Sequence, residues 1–120
     1  MNYWQKRKNA FRYAFAGVGR LFRDEAHAKI HAIAAMAVIA AGFIFNIERW
    51  EWCAAIICIG GVFMAEAVNT ALEKVCDKVC VERHPLIGQA KDMAAGAVLL
   101  MAICAAAVGL IIFLPYIFSI

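Results

Sequence analysis

Glu66, Asn69, Thr70, Glu73 and Asp77 recur at helical spacing directly after residues 52–65, an apolar run without a single charge. A helix turns by about 100° per residue, so relative to Glu66 the others fall near −60°, +40°, −20° and +20°. Three carboxylates, a carboxamide and a hydroxyl thus share one stripe, while Ala67, Val68, Ala71, Leu72 and Val75 fill the remaining faces. An acid in the middle of a membrane helix costs about 2.5–3.5 kcal/mol on insertion scales. Glu66 lies nearer the interface and costs less, but leucine there would cost nothing. Oxygen-only groups of this kind suit Mg²⁺, which usually arrives with a phosphate. Structural hydrogen bonding between helices is the competing account. It suffices for Asp77 alone, as a charge at the water boundary, but explains Glu66, Asn69 and Glu73 together less well.

The elements that must carry this stripe follow from composition. The chain has 120 residues, 65% of them hydrophobic, against about 45–50% in a soluble domain. Its mean hydropathy is +0.73. We read one small membrane domain over 1–120. Apolar runs at 32–47, 52–65 and 93–118, extended by helix-compatible flanks, give transmembrane helices over about 30–48, 50–78 and 90–118. Asn46-Ile47-Glu48-Arg49 makes the first turn. Asp92 suits the first turn of the third helix, where the dipole favours an anion.

Residues 1–28 hold no apolar core of a signal peptide and no small-residue cleavage site. They interleave Tyr3, Trp4, Phe11, Tyr13, Phe15, Val18, Leu21 and Phe22 with Lys and Arg, the pattern of an amphipathic helix lying in the membrane surface. Eleven of the twelve basic residues fall before the first apolar run or between the second and third, and only Arg49 falls on the other side. Positive-inside bias places the N-terminus and the stripe in the cytoplasm, where ATP is.

No nucleotide loop, nucleophile elbow or zinc-protease pair occurs. The remaining polar groups form three clusters: Arg23-Asp24-Glu25, the stripe, and Glu82-Arg83-His84-Pro85 running to Lys91-Asp92. Cys53, Cys58 and Cys104 sit in apolar spans and read as packing thiols. Cys76 and Cys80, with His84, lack enough ligands for zinc. Gly60, Gly61, Ala65 and 94–97 are small and allow close helix contact. Three spans can scarcely enclose a polar site alone, so the chain is expected to associate with copies of itself. Three classes stay open on these grounds: a phosphoryl-transfer enzyme, an ion-binding or ion-conducting oligomer without nucleotide chemistry, and an inactive assembly subunit. The Lys91-Asp92 pair favours the first, because a phosphate site uses a lysine.

The pattern Glu66-x-x-Asn69-Thr70-Ala-Leu-Glu73-x-x-x-Asp77 resembles the motif of the small prokaryotic membrane lipid kinases, the diacylglycerol kinase and undecaprenol kinase family. The resemblance extends to Tyr13-Ala-Phe-x-Gly17, to Glu25, and to Ala90-Lys91-Asp92-Met-Ala-Ala-Gly-Ala-Val-Leu-Leu. It implies an all-α membrane fold, three transmembrane helices with an N-terminal surface helix, assembled as a homotrimer in the bacterial inner membrane. It implies that ATP phosphorylates a lipid hydroxyl at the cytoplasmic face, in lipid recycling for envelope synthesis, with no nucleic-acid partner. By the same resemblance Glu66 is the general base, and Glu25 and Glu73 hold Mg²⁺. Tyr13, Glu25, Asn69, Glu73, Asp77, Glu82, Arg83, His84, Lys91 and Asp92 serve the nucleotide. Lys29-Ile30-His31, His84-Pro85-Leu86 and Lys6 lean toward the undecaprenol branch over diacylglycerol.

Overall fold

The computed structural model describes residues 2–79, 82 and 84–119. Four helices follow in order: α1 (Tyr3–Asp24), α2 (Ala26–Phe45), α3 (Arg49–Val79) and α4 (Pro85–Phe118). The last three are long and apolar enough to cross a membrane, and the described residues include no strand. This is the all-α architecture expected, a surface-type helix followed by three spans.

Local chemistry sets each boundary. At the start of α1, Asn2 and Gln5 form a reciprocal capping box, the Gln5 amide donating to Asn2 Oδ1 at 2.8 Å and the Asn2 amide to Gln5 Oε1 at 3.2 Å. Glu25 breaks α1 from α2: its backbone is extended, at φ −112° and ψ 115°, and its carboxylate accepts the His27 amide at 3.2 Å. Asn46 ends α2 at φ 53°, ψ 56°, a left-handed conformation that asparagine tolerates better than most residues. The Ile47 amide then reaches back to the Gly42 carbonyl at 3.1 Å. His84 caps α4, its Nδ1 accepting the Leu86 amide at 3.1 Å, and Pro85 occupies the first helical position with its φ already set.

Two helices start earlier than the apolar pattern indicates. α2 begins at Ala26 and α4 at Pro85, because Glu25 and His84, rather than Ser, Thr, Asp or Asn, do the capping. Asp92 therefore lies about two turns inside α4 and is not in its dipole-favoured first turn.

α3 is the spine. Its contact with α4 is by far the most extensive, with α2 and α1 joining more locally. α1 reaches it through Phe22 and Phe63, ring centroids 5.3 Å apart. At the hairpin end Phe43 lies 4.9 Å from Trp52, and Phe45 of α2 stacks 5.9 Å from Tyr116 of α4. There Glu51 is only 5% exposed, accepting the Glu48 amide at 2.9 Å and the Tyr116 hydroxyl. Both bonds fall on Oε1; they offset part of the cost of burying the carboxylate and tie the start of α3 to the end of α4. Among the expected small-residue contacts, Gly61 faces the Met101 side chain, while Gly60 and Gly96 face open space.

Gly42 is required for the α2–α3 approach: a Cβ there would sit 2.5 Å from Trp52 Cη2. Gly42→Val should lower stability by about 1–3 kcal/mol, the usual cost of overpacking. Unfolding in mixed micelles by titrated denaturing detergent measures this, and an unchanged midpoint would show that Trp52 swings freely aside.

Candidate functional site

The C-terminal half of α3 presents the stripe toward the ends of α2 and α4. Glu66 is its deepest acid and is 4% exposed. His31 of α2 meets it, Nε2 to Oε1 at 3.1 Å. One turn further, Asn69 Nδ2 makes a long contact, 3.5 Å, to Glu73 Oε1. Its other atom, Oδ1, is buried with no hydrogen-bond partner among the described residues. Thr70 donates across to Glu25 Oε2, also at 3.5 Å, which joins the α2 cap to the stripe. At the outer end Lys91 Nζ of α4 pairs with Asp77 Oδ1 at 2.6 Å. Beside it Lys74 pairs with Asp24 of α1 at 2.8 Å.

The fold thus gathers Glu25, Glu66, Asn69, Glu73, Asp77 and Lys91 along one seam. Other expected contributors stand apart. Tyr13, midway along α1, is 68% exposed. His84 uses Nδ1 to cap α4. Glu82 is exposed in the α3–α4 connection, and Asp92 is exposed beside Lys91. Arg83 lies outside the described residues.

The seam suits a hard cation in its chemistry more than in its closure. Among the described residues, no three His, Cys, Asp or Glu side chains converge at metal distance. Asn69 nonetheless turns Nδ2 to the Glu73 carboxylate and leaves Oδ1 an unfilled acceptor, and carboxamide and carboxylate oxygens are ligand types Mg²⁺ takes. A buried acceptor without a partner costs free energy unless something fills it.

Behind Glu66 a cavity of about 320 Å³ opens between α2, α3 and α4. Ala35, Val38, Val62, Phe63, Ala106 and Ile112 are among the residues that line it. Apart from the Cys58 thiol, its one polar side chain is His31. The seam thus runs from the apolar cavity beside His31 to the Lys91–Asp77 pair.

The sequence pattern of the family described as prokaryotic diacylglycerol kinase matches residues 12–113. The chain belongs to that family. It is 41% identical over 106 residues to the undecaprenol kinase of Bacillus subtilis, covering 88% of this chain and 86% of the relative. It is 40% identical over 122 residues to a diacylglycerol kinase of Synechocystis, covering 98% of this chain and 70% of the relative. A diacylglycerol kinase of Pseudomonas aeruginosa is 34% identical over 89 residues, 74% of this chain and 72% of that protein. As a family member the chain is a lipid kinase.

Sequence reasoning used His31 only as a mark of one branch, and missed its contact with Glu66. It also passed over the Lys74–Asp24 pair. A positional signal existed for both. His31 and Glu66 lie equally far along the chain from the turn at Glu48-Arg49, so an antiparallel hairpin brings them to one depth.

The hydrogen bond from Lys74 holds the Asp24 carboxyl below its ordinary range. A carboxylate with a depressed folded pKa stabilises above its unfolded pKa and loses that contribution as pH falls through the folded value. The α1–α3 tie should therefore persist at neutral pH and fail only below about pH 3.9, the ordinary aspartate value. Carbon NMR titration of Asp24 should show the low midpoint, and Lys74→Met should raise it toward that value. Equal midpoints in both proteins would mean that the pair does not form in solution.

Proposed function

We propose that this lipid kinase transfers the γ-phosphoryl group of ATP to the hydroxyl of a membrane lipid at the cytoplasmic face of the bacterial inner membrane. The observation that carries this reading is the polarity of the seam. A buried acid held by His31, which lines an apolar cavity, stands at one end and an exposed lysine–aspartate pair at the other, about 16 Å apart by helix rise.

Each group has a task. Glu66 accepts the proton of the lipid hydroxyl as its oxygen bonds to the γ-phosphorus. The bond from that phosphorus to the β–γ bridging oxygen breaks, and ADP leaves. Lys91 exchanges Asp77 for phosphate oxygens and offsets their charge, since phosphoryl transfer is catalysed mostly by positioning and electrostatics. Glu25 and Glu73 would hold Mg²⁺, which would neutralise phosphate charge, with Asn69 and Asp77 supporting the site. Tyr13, Glu82, Arg83, His84 and Asp92 serve the nucleotide. Tyr13 is exposed midway along α1, and among the described residues the acids do not close a metal site within one chain. Both points support a homotrimer in which neighbouring copies complete the site. The bias of basic residues to one side supports the orientation.

The lipid is an undecaprenol-type alcohol in preference to diacylglycerol, and its phosphorylation recycles carrier lipid for the envelope. The similarity to the Bacillus subtilis undecaprenol kinase supports this choice.

Purified protein in mixed micelles with Mg²⁺ and ATP should phosphorylate undecaprenol with a higher kcat/KM than diacylglycerol. The reverse order would reassign the lipid. Glu66→Gln should lower kcat by about 10²–10⁴-fold, the range for loss of a general base. Lys91→Met should raise the KM for ATP about tenfold, as for a lost charged hydrogen bond. Full activity in Glu66→Gln would remove the mechanism.

A further inference from the structure

We propose that His31 is the positioning residue for Glu66, holding the carboxylate by one hydrogen bond so that it faces the lipid hydroxyl. The inference rests on the assignment of Glu66 as the base.

Three observations lead to it. First, Glu66 is almost fully withdrawn from its surroundings, 4% exposed. Among the described residues its one hydrogen-bond partner is His31, Nε2 to Oε1 at 3.1 Å. Second, no lysine or arginine among the described residues pairs with this acid; those ion pairs lie further out, at Asp24 and Asp77. Third, the same imidazole lines the apolar cavity between α2, α3 and α4. His31 therefore links the acid to an apolar space suited to a hydrocarbon chain.

The physical argument is about geometry and charge. A carboxylate this deeply buried needs a donor, and water has little access. A lysine or arginine would supply one but would also fix a full positive charge on the group that must take a proton. An imidazole can donate from Nε2 without a permanent charge, which satisfies one oxygen and removes the freedom of the Glu66 side chain. The second oxygen is then available to the substrate. Misplacement of a reacting group by about 1 Å costs on the order of 10²-fold in rate. A glutamate on a helix has three rotatable bonds to lose, so its restraint matters.

His31 acts through Glu66 and not on the nucleotide, so its removal should fall on kcat alone. In the assembled enzyme with Mg²⁺-ATP and undecaprenol, His31→Leu should lower kcat about 10–100-fold with the KM for ATP changed less than about twofold. His31→Gln places an amide donor the same number of bonds from Cβ, and should restore kcat to within about threefold of the parent. Adding His31→Leu to Glu66→Gln should cost nothing further, since the two act as a unit. An unchanged kcat in His31→Leu, an equal loss in the leucine and glutamine variants, or a loss confined to KM would overturn the proposal. If Glu66→Gln itself retains activity, it is the base assignment that fails, whatever His31 does. Should His31→Leu not assemble, ring nitrogen NMR of the three histidines decides. Glu66→Gln should shift the His31 signal and leave those of His27 and His84; a His31 signal that does not move would overturn the proposal.

Discussion

A carboxylate buried in a bilayer-spanning helix governs this molecule. Nothing in the hydrophobic effect favours Glu66, and the apolar helix face around it would be more stable with leucine. The acid is tolerated because the antiparallel α2–α3 hairpin brings His31 to its depth, 3.1 Å away. Once that requirement is accepted, much else follows. α2 must start early enough to present His31, so its cap falls on Glu25, and the same cap carboxylate then reaches Thr70. One geometric constraint thus supplies both a helix boundary and a second acid at the stripe.

α3 carries polar groups at both ends for different reasons. Near its start Glu51 is satisfied by the Glu48 amide and the Tyr116 hydroxyl, with aromatic rings of α2 and α4 packed around it. Both bonds fall on Oε1, and the group ties the ends of helices together. At the other end Asn69 Oδ1 has no partner among the described residues and the nearest polar contacts are long. A satisfied polar cluster rigidifies, whereas an unsatisfied one is a place for a ligand. The contrast between the two ends separates scaffold from site more clearly than burial does, since Glu51 and Glu66 are almost equally buried.

Much of this was legible in the chain. Uninterrupted apolar runs gave the three spans, the interleaved aromatic and basic residues gave α1, and helical spacing gave the stripe. What stayed hidden depended on contacts between helices. Helix periodicity reports which face a residue occupies but not what stands opposite. His31 looked like one polar residue in an apolar span, and Glu51 and Tyr116, far apart in sequence, gave no local pattern. Folding the chain about its two turns would have found them, because Asp77 and Lys91, and Glu51 and Tyr116, also lie at nearly equal distances from the α3–α4 connection. The early starts of α2 and α4 were obscured for a different reason. Glutamate and histidine are uncommon caps, so the usual signal was absent. Tyr13 shows the limit of pattern alone: its place in a motif does not bring it to the stripe within one chain.

The central claim is that one seam joins lipid and nucleotide, with Lys91 leaving Asp77 for phosphate. Solid-state NMR on the enzyme in bilayers tests it most directly, by phosphorus–nitrogen dipolar coupling between a non-hydrolysable ATP analogue with Mg²⁺ and lysine labelled at Nζ. The account predicts a direct phosphate contact to one lysine that disappears in Lys91→Met. A contact that survives that substitution, or no lysine contact at all, would contradict it.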